Sequence, residues 1–87
     1  MSDPIPQFDE ILDLFGRLGI EVRMERLGGD GGGLCTLRDK RVLFVDIDAD
    51  VATRAERCLA ALAEVPTVDS LYVMPALREQ IERRRKQ

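Results

Sequence analysis

The sequence predicts a small α+β domain: a mainly antiparallel sheet of three or four strands packed with three helices, in the order α-β-β-β-α-(β)-α. Three observations predict it. Apolar residues recur at helical spacing in residues 6–18 and then alternate at period two in residues 20–26. Two apolar runs, residues 34–38 and 41–47, follow a glycine-rich segment and lie close enough to form a hairpin. Helical spacing returns in residues 50–64 and again after Pro75.

In the first helix Phe8, Ile11, Leu12, Phe15 and Leu18 line one face, and Asp9, Glu10, Asp13 and Arg17 the other. Pro6 suits the first turn, where its missing N–H has no partner to lose. The early acidic residues suit the positive end of the helix dipole. Gly19 is placed to end the helix. In the first strand Ile20, Val22 and Met24 alternate with Glu21, Arg23 and Glu25, the pattern of a half-buried strand with one wet face. Residues 28–33 hold five glycines and Asp30, which excludes a helix or a regular strand interior.

A hairpin turn at Asp39-Lys40 pairs Leu37 with Val42, Thr36 with Leu43, Cys35 with Phe44 and Leu34 with Val45. One sheet face then carries Leu34, Leu43, Val45 and Ile47, and the other carries Cys35, Leu37, Val42 and Phe44. A strand apolar on both faces is normally covered on both. The second helix presents Val51, Ala55, Cys58, Leu59 and Leu62 as its buried stripe. Asp48 or Asp50 caps its start, and Pro66 stops it. Residues 68–73 are a fourth short strand or an extended connection. Pro75 opens a third helix through about Arg85, with Leu77 and Ile81 as apolar contacts and Arg78–Glu82 and Glu79–Arg83 as i,i+4 pairs. A three-stranded sheet is about 14 Å wide and one of its faces holds roughly two helices. The third helix, or a second subunit, therefore has to take an edge or the other face, and Cys35, Leu37, Val42 and Phe44 are the candidate interaction surface.

Length and composition narrow the function classes. Eighty-seven residues make one domain, with residues 1–5 and 84–87 expected as flexible ends. A chain of this size buries roughly 60–65% of the surface its unfolded form exposes. An apolar fraction of 45% beside 33% charged residues is that of a globular domain, not a disordered one. The chain lacks histidine, which removes the commonest general base at neutral pH and the commonest nitrogen ligand for transition metals. Thirteen basic and 16 acidic residues give a net charge of −3, without the overall electrostatic footprint of a nucleic-acid binder. No basic-then-apolar targeting segment and no membrane-spanning run is visible. Two cysteines make no disulfide framework, so Cys35 and Cys58 are expected as reduced thiols in the cytoplasm.

Four motifs hint at chemistry. Gly28 to Gly33 has the Gly-x4-Gly spacing of a phosphate loop, but Leu34-Cys35 stands where Lys and Ser/Thr are needed, and a strand follows instead of a helix. Asp46, Asp48 and Asp50 match positions 1, 3 and 5 of a calcium loop. Val51 and Arg57 stand where the loop needs glycine and a bidentate glutamate. Cys35 and Cys58 have no histidine to form a dyad and are too few for a tetrahedral zinc site, so packing accounts for them. Arg83, Arg84, Arg85 and Lys86 form the one basic cluster. Residues 78–87 hold five basic residues against two acidic ones, and a helix C-terminus favours cations without any ligand.

The stretch Gly32-Gly33-Leu34-Cys35-x-Leu37-Arg38-x-Lys40-Arg41-Val42-Leu43-Phe44-Val45-Asp46, with Leu71-Tyr72-Val73-x-Pro75-x-Leu77-Arg78-Glu79 further on, resembles a group of short bacterial proteins of unknown function. The resemblance spans residues 14–83 and implies no chemistry. A more distant similarity is to the strand-plus-helix part of zinc-peptidase-like domains of the antitoxin-associated type. Their helix carries His-Glu-x-x-His. Here it reads Cys58-Leu59-Ala60-Ala61-Leu62-Ala63-Glu64, so that similarity concerns shape alone.

The expectation is a non-catalytic interaction or accessory module of a bacterial cytoplasm, binding protein or forming a homodimer. It has no catalytic residues, cofactor or metal ligands, and no membrane partner. Two other readings remain: a nucleic-acid-associated protein using Arg83, Arg84, Arg85 and Lys86, and a ligand or divalent-metal binder using the glycine loop with Asp46, Asp48 and Asp50.

Overall fold

The computed structural model describes residues 5–29 and 32–86, the first three of these by backbone alone. The elements run α1 (Ile5–Arg17), β1 (Glu21–Glu25), β2 (Gly33–Leu37), β3 (Lys40–Asp46), α2 (Val51–Ala63), a 3-10 turn at Pro66–Ser70, and α3 (Pro75–Arg85). This is the predicted α+β order. Of the ends expected to be flexible, residues 1–5 and 84–87, residues 1–4 and Gln87 lie outside the described residues, as do Asp30 and Gly31 of the glycine loop, whereas Ile5 belongs to α1 and Arg84 and Arg85 to α3.

The sheet is mixed, not mainly antiparallel. Its order is β1-β3-β2, with β3 parallel to β1 and antiparallel to β2. Periodicity marks strands but not neighbours. Here the glycine loop carries the chain from the end of β1 over the end of β3 to β2, which leaves β3 in the centre. The 68–73 segment is not a fourth strand: Pro66 starts a 3-10 turn, and an extended link leads from it into α3.

The hairpin turn is Arg38-Asp39, one residue earlier than Asp39-Lys40. Leu37 opposes Lys40, Thr36 Arg41, Cys35 Val42, Leu34 Leu43 and Gly33 Phe44. Both turn residues have positive φ, 51° and 70°. That is the conformation whose twist matches a two-residue hairpin, and Asp tolerates it better than Lys does. The register differs by two residues from the expected one, and because strand side chains alternate with period two, the face assignments survive.

Val22, Leu34, Leu43 and Val45 point toward α1 and α2 and join Ile11, Leu14, Phe15, Leu59 and Leu62 in one core. α1 lies along β1, and α2 lies along β3 and β2. Leu14, absent from the expected stripe, is fully buried, while Leu12 and Leu18 are only partly so. Gly19 ends α1 with φ 78° as expected, and Asp50 caps α2 by accepting from the Thr53 amide at 2.8 Å. α3 packs on α2, where Leu77 and Ile81 meet the core with Val65, Val68 and Val73. No helix among the described residues is long and apolar enough to cross a membrane.

Candidate functional site

The second sheet face is built by the other half of the same alternation. In one row across the strands, Glu21 of β1 neighbours Val42 of β3, which neighbours Cys35 of β2. In the next, Arg23 neighbours Phe44, which neighbours Gly33. Val42 and Phe44 stand outside the main core, because α1 and α2 occupy the opposite face and α3 lies against α2. The four expected interaction residues share this face but differ in availability. Cys35 and Leu37 are exposed, Phe44 is half-buried, and Val42 is 3% exposed at the floor. Val42 is therefore a support for the surface and not a contact on it. An open groove of about 490 Å³ crosses the face, lined by Glu21, Arg23, Leu37, Arg38, Lys40 and Val42.

One end of this face is closed by the glycine loop. Asp46 ends β3 and is 3% exposed. Its Oδ1 accepts from the amides of Leu27 at 3.0 Å and Asp48 at 2.9 Å, and its Oδ2 accepts from Gly29 at 2.7 Å. Asp48 Oδ2 accepts from the Gly28 amide at 3.0 Å. A glycine-rich loop has no regular secondary structure to satisfy its N–H groups, so two carboxylates at the strand end supply the acceptors. Gly32 lies so close to β3 that a Cβ there would sit 2.9 Å from the Phe44 carbonyl oxygen, and its φ is 99°. The usable signal was Asp-x-Asp at a strand end in a chain with a glycine run.

The three aspartates of the divalent-metal reading each accept backbone hydrogen bonds. Asp46 and Asp48 hold the loop, and Asp50 holds the α2 N-terminus, where hydrogen bonds from Thr53 push its carboxyl below the usual range. Among the described residues no group of three or more Asp, Glu, Cys or His is placed to hold a metal ion.

Three of the four residues of the basic cluster have acidic partners. Arg83 pairs with Glu79 at 2.9 Å, and Arg84 pairs with Glu56 of α2. Arg85 donates to the Ala63 carbonyl at 3.0 Å and to Asp69 at 2.9 Å, which ties α3 to the end of α2 and to the 3-10 turn. Arg78 also pairs with Asp69 at 2.9 Å instead of with Glu82, so only one of the two expected i,i+4 pairs forms. The Arg85 hydrogen bond, with the charges of Arg85 and Arg78, holds Asp69 below its ordinary value. Lys86 is exposed. A groove of about 550 Å³ between α2 and α3 is lined by charges that already face each other, Glu56 with Arg84 and Glu79 with Arg83.

The cysteines differ. Cys58 is buried in the core, and burial pushes its thiol up to about 11; Cys35 is exposed on β2. No protein-family model matches the chain, and no curated protein or solved structure matches it.

Proposed function

We propose that this protein is a non-catalytic interaction module that self-associates, with the helix-free sheet face as part of its contact surface. The observation that carries the reading is the unroofed face itself: Leu37, Cys35 and Phe44 lie on the side of the sheet that faces away from both packed helices. A face of this kind in a small domain is what a partner covers. The non-catalytic part is supported by how the polar groups are used. Asp46, Asp48 and Asp50 bind backbone amides, Arg84 and Arg85 brace α3, and among the described residues every buried side-chain polar atom has a partner. Two unpaired thiols fit a reducing, cytoplasmic setting.

Sedimentation velocity over a concentration series tests the reading. The expected result is a reversible rise from monomer toward dimer, abolished by Leu37→Glu. A chain that stays monomeric at every concentration contradicts it.

A further inference from the structure

The two edges of the sheet are guarded differently. β1 carries Glu21, Arg23 and Glu25 within five residues. β2, Gly33-Leu-Cys-Thr-Leu37, has no charge, no proline and no bulge. Charges, proline and bulges are the usual means by which a protein blocks edge-to-edge pairing. We infer that two copies of this chain join along β2, antiparallel and centred on Cys35, so that the sheet runs β1-β3-β2 and on into β2-β3-β1 of the second copy. This rests on the self-association reading and specifies its geometry.

The register follows from the hairpin. A two-residue turn makes Leu37 and Lys40 the hydrogen-bonded pair that closes it. Alternation then directs the amides and carbonyls of Leu37, Cys35 and Gly33 toward β3, and those of Leu34 and Thr36 toward the outer edge. No other described residue pairs with that edge. Two such edges exchange bonds only where outward residues oppose outward residues. Placing Leu34 opposite Thr36 of the second copy does so, and it is the one such register that overlaps all five residues. Cys35 then opposes Cys35 of the second copy in a non-hydrogen-bonded pair, with Cα atoms about 4.5 Å apart.

The open face supports this pairing. Leu37, 44% exposed, falls opposite Gly33 of the second copy, where a Cβ would meet nothing within 4 Å. The next residue in that row is Phe44 of the second copy, so Leu37 gains an apolar neighbour across the dyad. The corresponding pairing of β1 with itself would centre like charges on the join. An antiparallel pair keeps its faces, so both open faces lie on one side of a six-stranded sheet.

Cys35 reports the register. That Cα spacing lies inside the range of about 4.4–6.8 Å that a disulfide spans. Diamide, the azo oxidant used as probe, takes two electrons and two protons from two Cys35 thiols as the Sγ–Sγ bond forms. The expected result is rapid cross-linking of the native chain and none in Cys35→Ser, since Cys58 is buried. Without oxidant, Cys35→Lys places two cations opposite each other and should weaken the dimer at least about tenfold, with the circular dichroism spectrum unchanged. Thr36→Pro removes an outward amide and should do the same; if it fails to fold, Cys35→Lys decides. A dimer that survives Cys35→Lys and breaks only with Leu37→Glu overturns this geometry and leaves the self-association reading standing. A monomer at all concentrations overturns both.

Discussion

Three strands supply both faces of the sheet, and the two faces were put to different use. On one, Leu34, Leu43 and Val45 disappear beneath α1 and α2. On the other, the neighbouring residues Cys35, Val42 and Phe44 meet no helix, although they are equally apolar. Sheet width makes the difference: two helices fill one side of three strands, and α3 finds its apolar neighbours on α2. The lesson is that helix packing buries the closed face, whereas no helix among the described residues covers the open one.

The sharpest contrast comes from making the same substitution on both sides. Leu62→Ala, beneath the closed face, should cost about 2–5 kcal/mol, whereas Leu37→Ala should cost the monomer about 0.5 kcal/mol or less. Urea unfolding at low protein concentration measures both, and equal losses would mean that the open face is covered within the chain.

The closed end of the open face is next. Asp46→Ala leaves the amides of Leu27, Gly29 and Asp48 without their acceptor and should cost about 3 kcal/mol. Asp46→Asn keeps one acceptor oxygen and should cost less. Gly32→Ala should cost about 2 kcal/mol, because its Cβ meets a backbone carbonyl and its φ is positive. In each case hydrogen exchange should accelerate first at residues 27–29.

At the opposite end, the turn is suboptimal. Arg38→Asn with Asp39→Gly suits the two positive φ values and should add about 1 kcal/mol, or roughly 4–8 °C in Tm. An unchanged Tm would mean that the turn relaxes away from this geometry.

The smallest effect lies far from both faces. The folded Asp69 carboxyl sits below its ordinary value of 3.8, so it stabilises the fold above that pH. The contribution is lost as the pH falls through the depressed folded value. Asp69→Asn should lower Tm slightly at neutral pH and leave a shallower acid limb; parallel curves down to pH 2 would contradict this.

Much of this was legible because it depends on local periodicity. Ile11 and Phe15 of α1, Ala55, Cys58, Leu59 and Leu62 of α2, the Gly19 ending and the Asp50 cap follow from spacing within one element, although Leu14 and Ala61 are buried outside the expected stripes and Val51 is exposed. The faces of β2 and β3 also followed, because an error of two residues in register leaves the alternation intact, but Met24 and Ile47, expected on the covered face, are exposed. What could not be read depends on distant neighbours. The parallel β1–β3 pairing requires knowing where the glycine loop crosses, and the loop's carboxylate anchors lie 17 to 20 residues from the amides they bind. The arginines of α3 looked like a surface cluster because Glu56 and Asp69 are remote in sequence. Charge at a helix end reads the same whether it faces water or a carboxylate.

Hydrogen exchange at the β2 edge, followed residue by residue from dilute to concentrated protein, tests the central claim most directly. The Cys35 amide should be protected throughout by its bond to β3, while the Leu34 and Thr36 amides should exchange freely when dilute and slow together as concentration rises. If Leu34 and Thr36 exchange at one unchanging rate while Cys35 stays protected, the edge meets no second copy and the join along β2 is wrong.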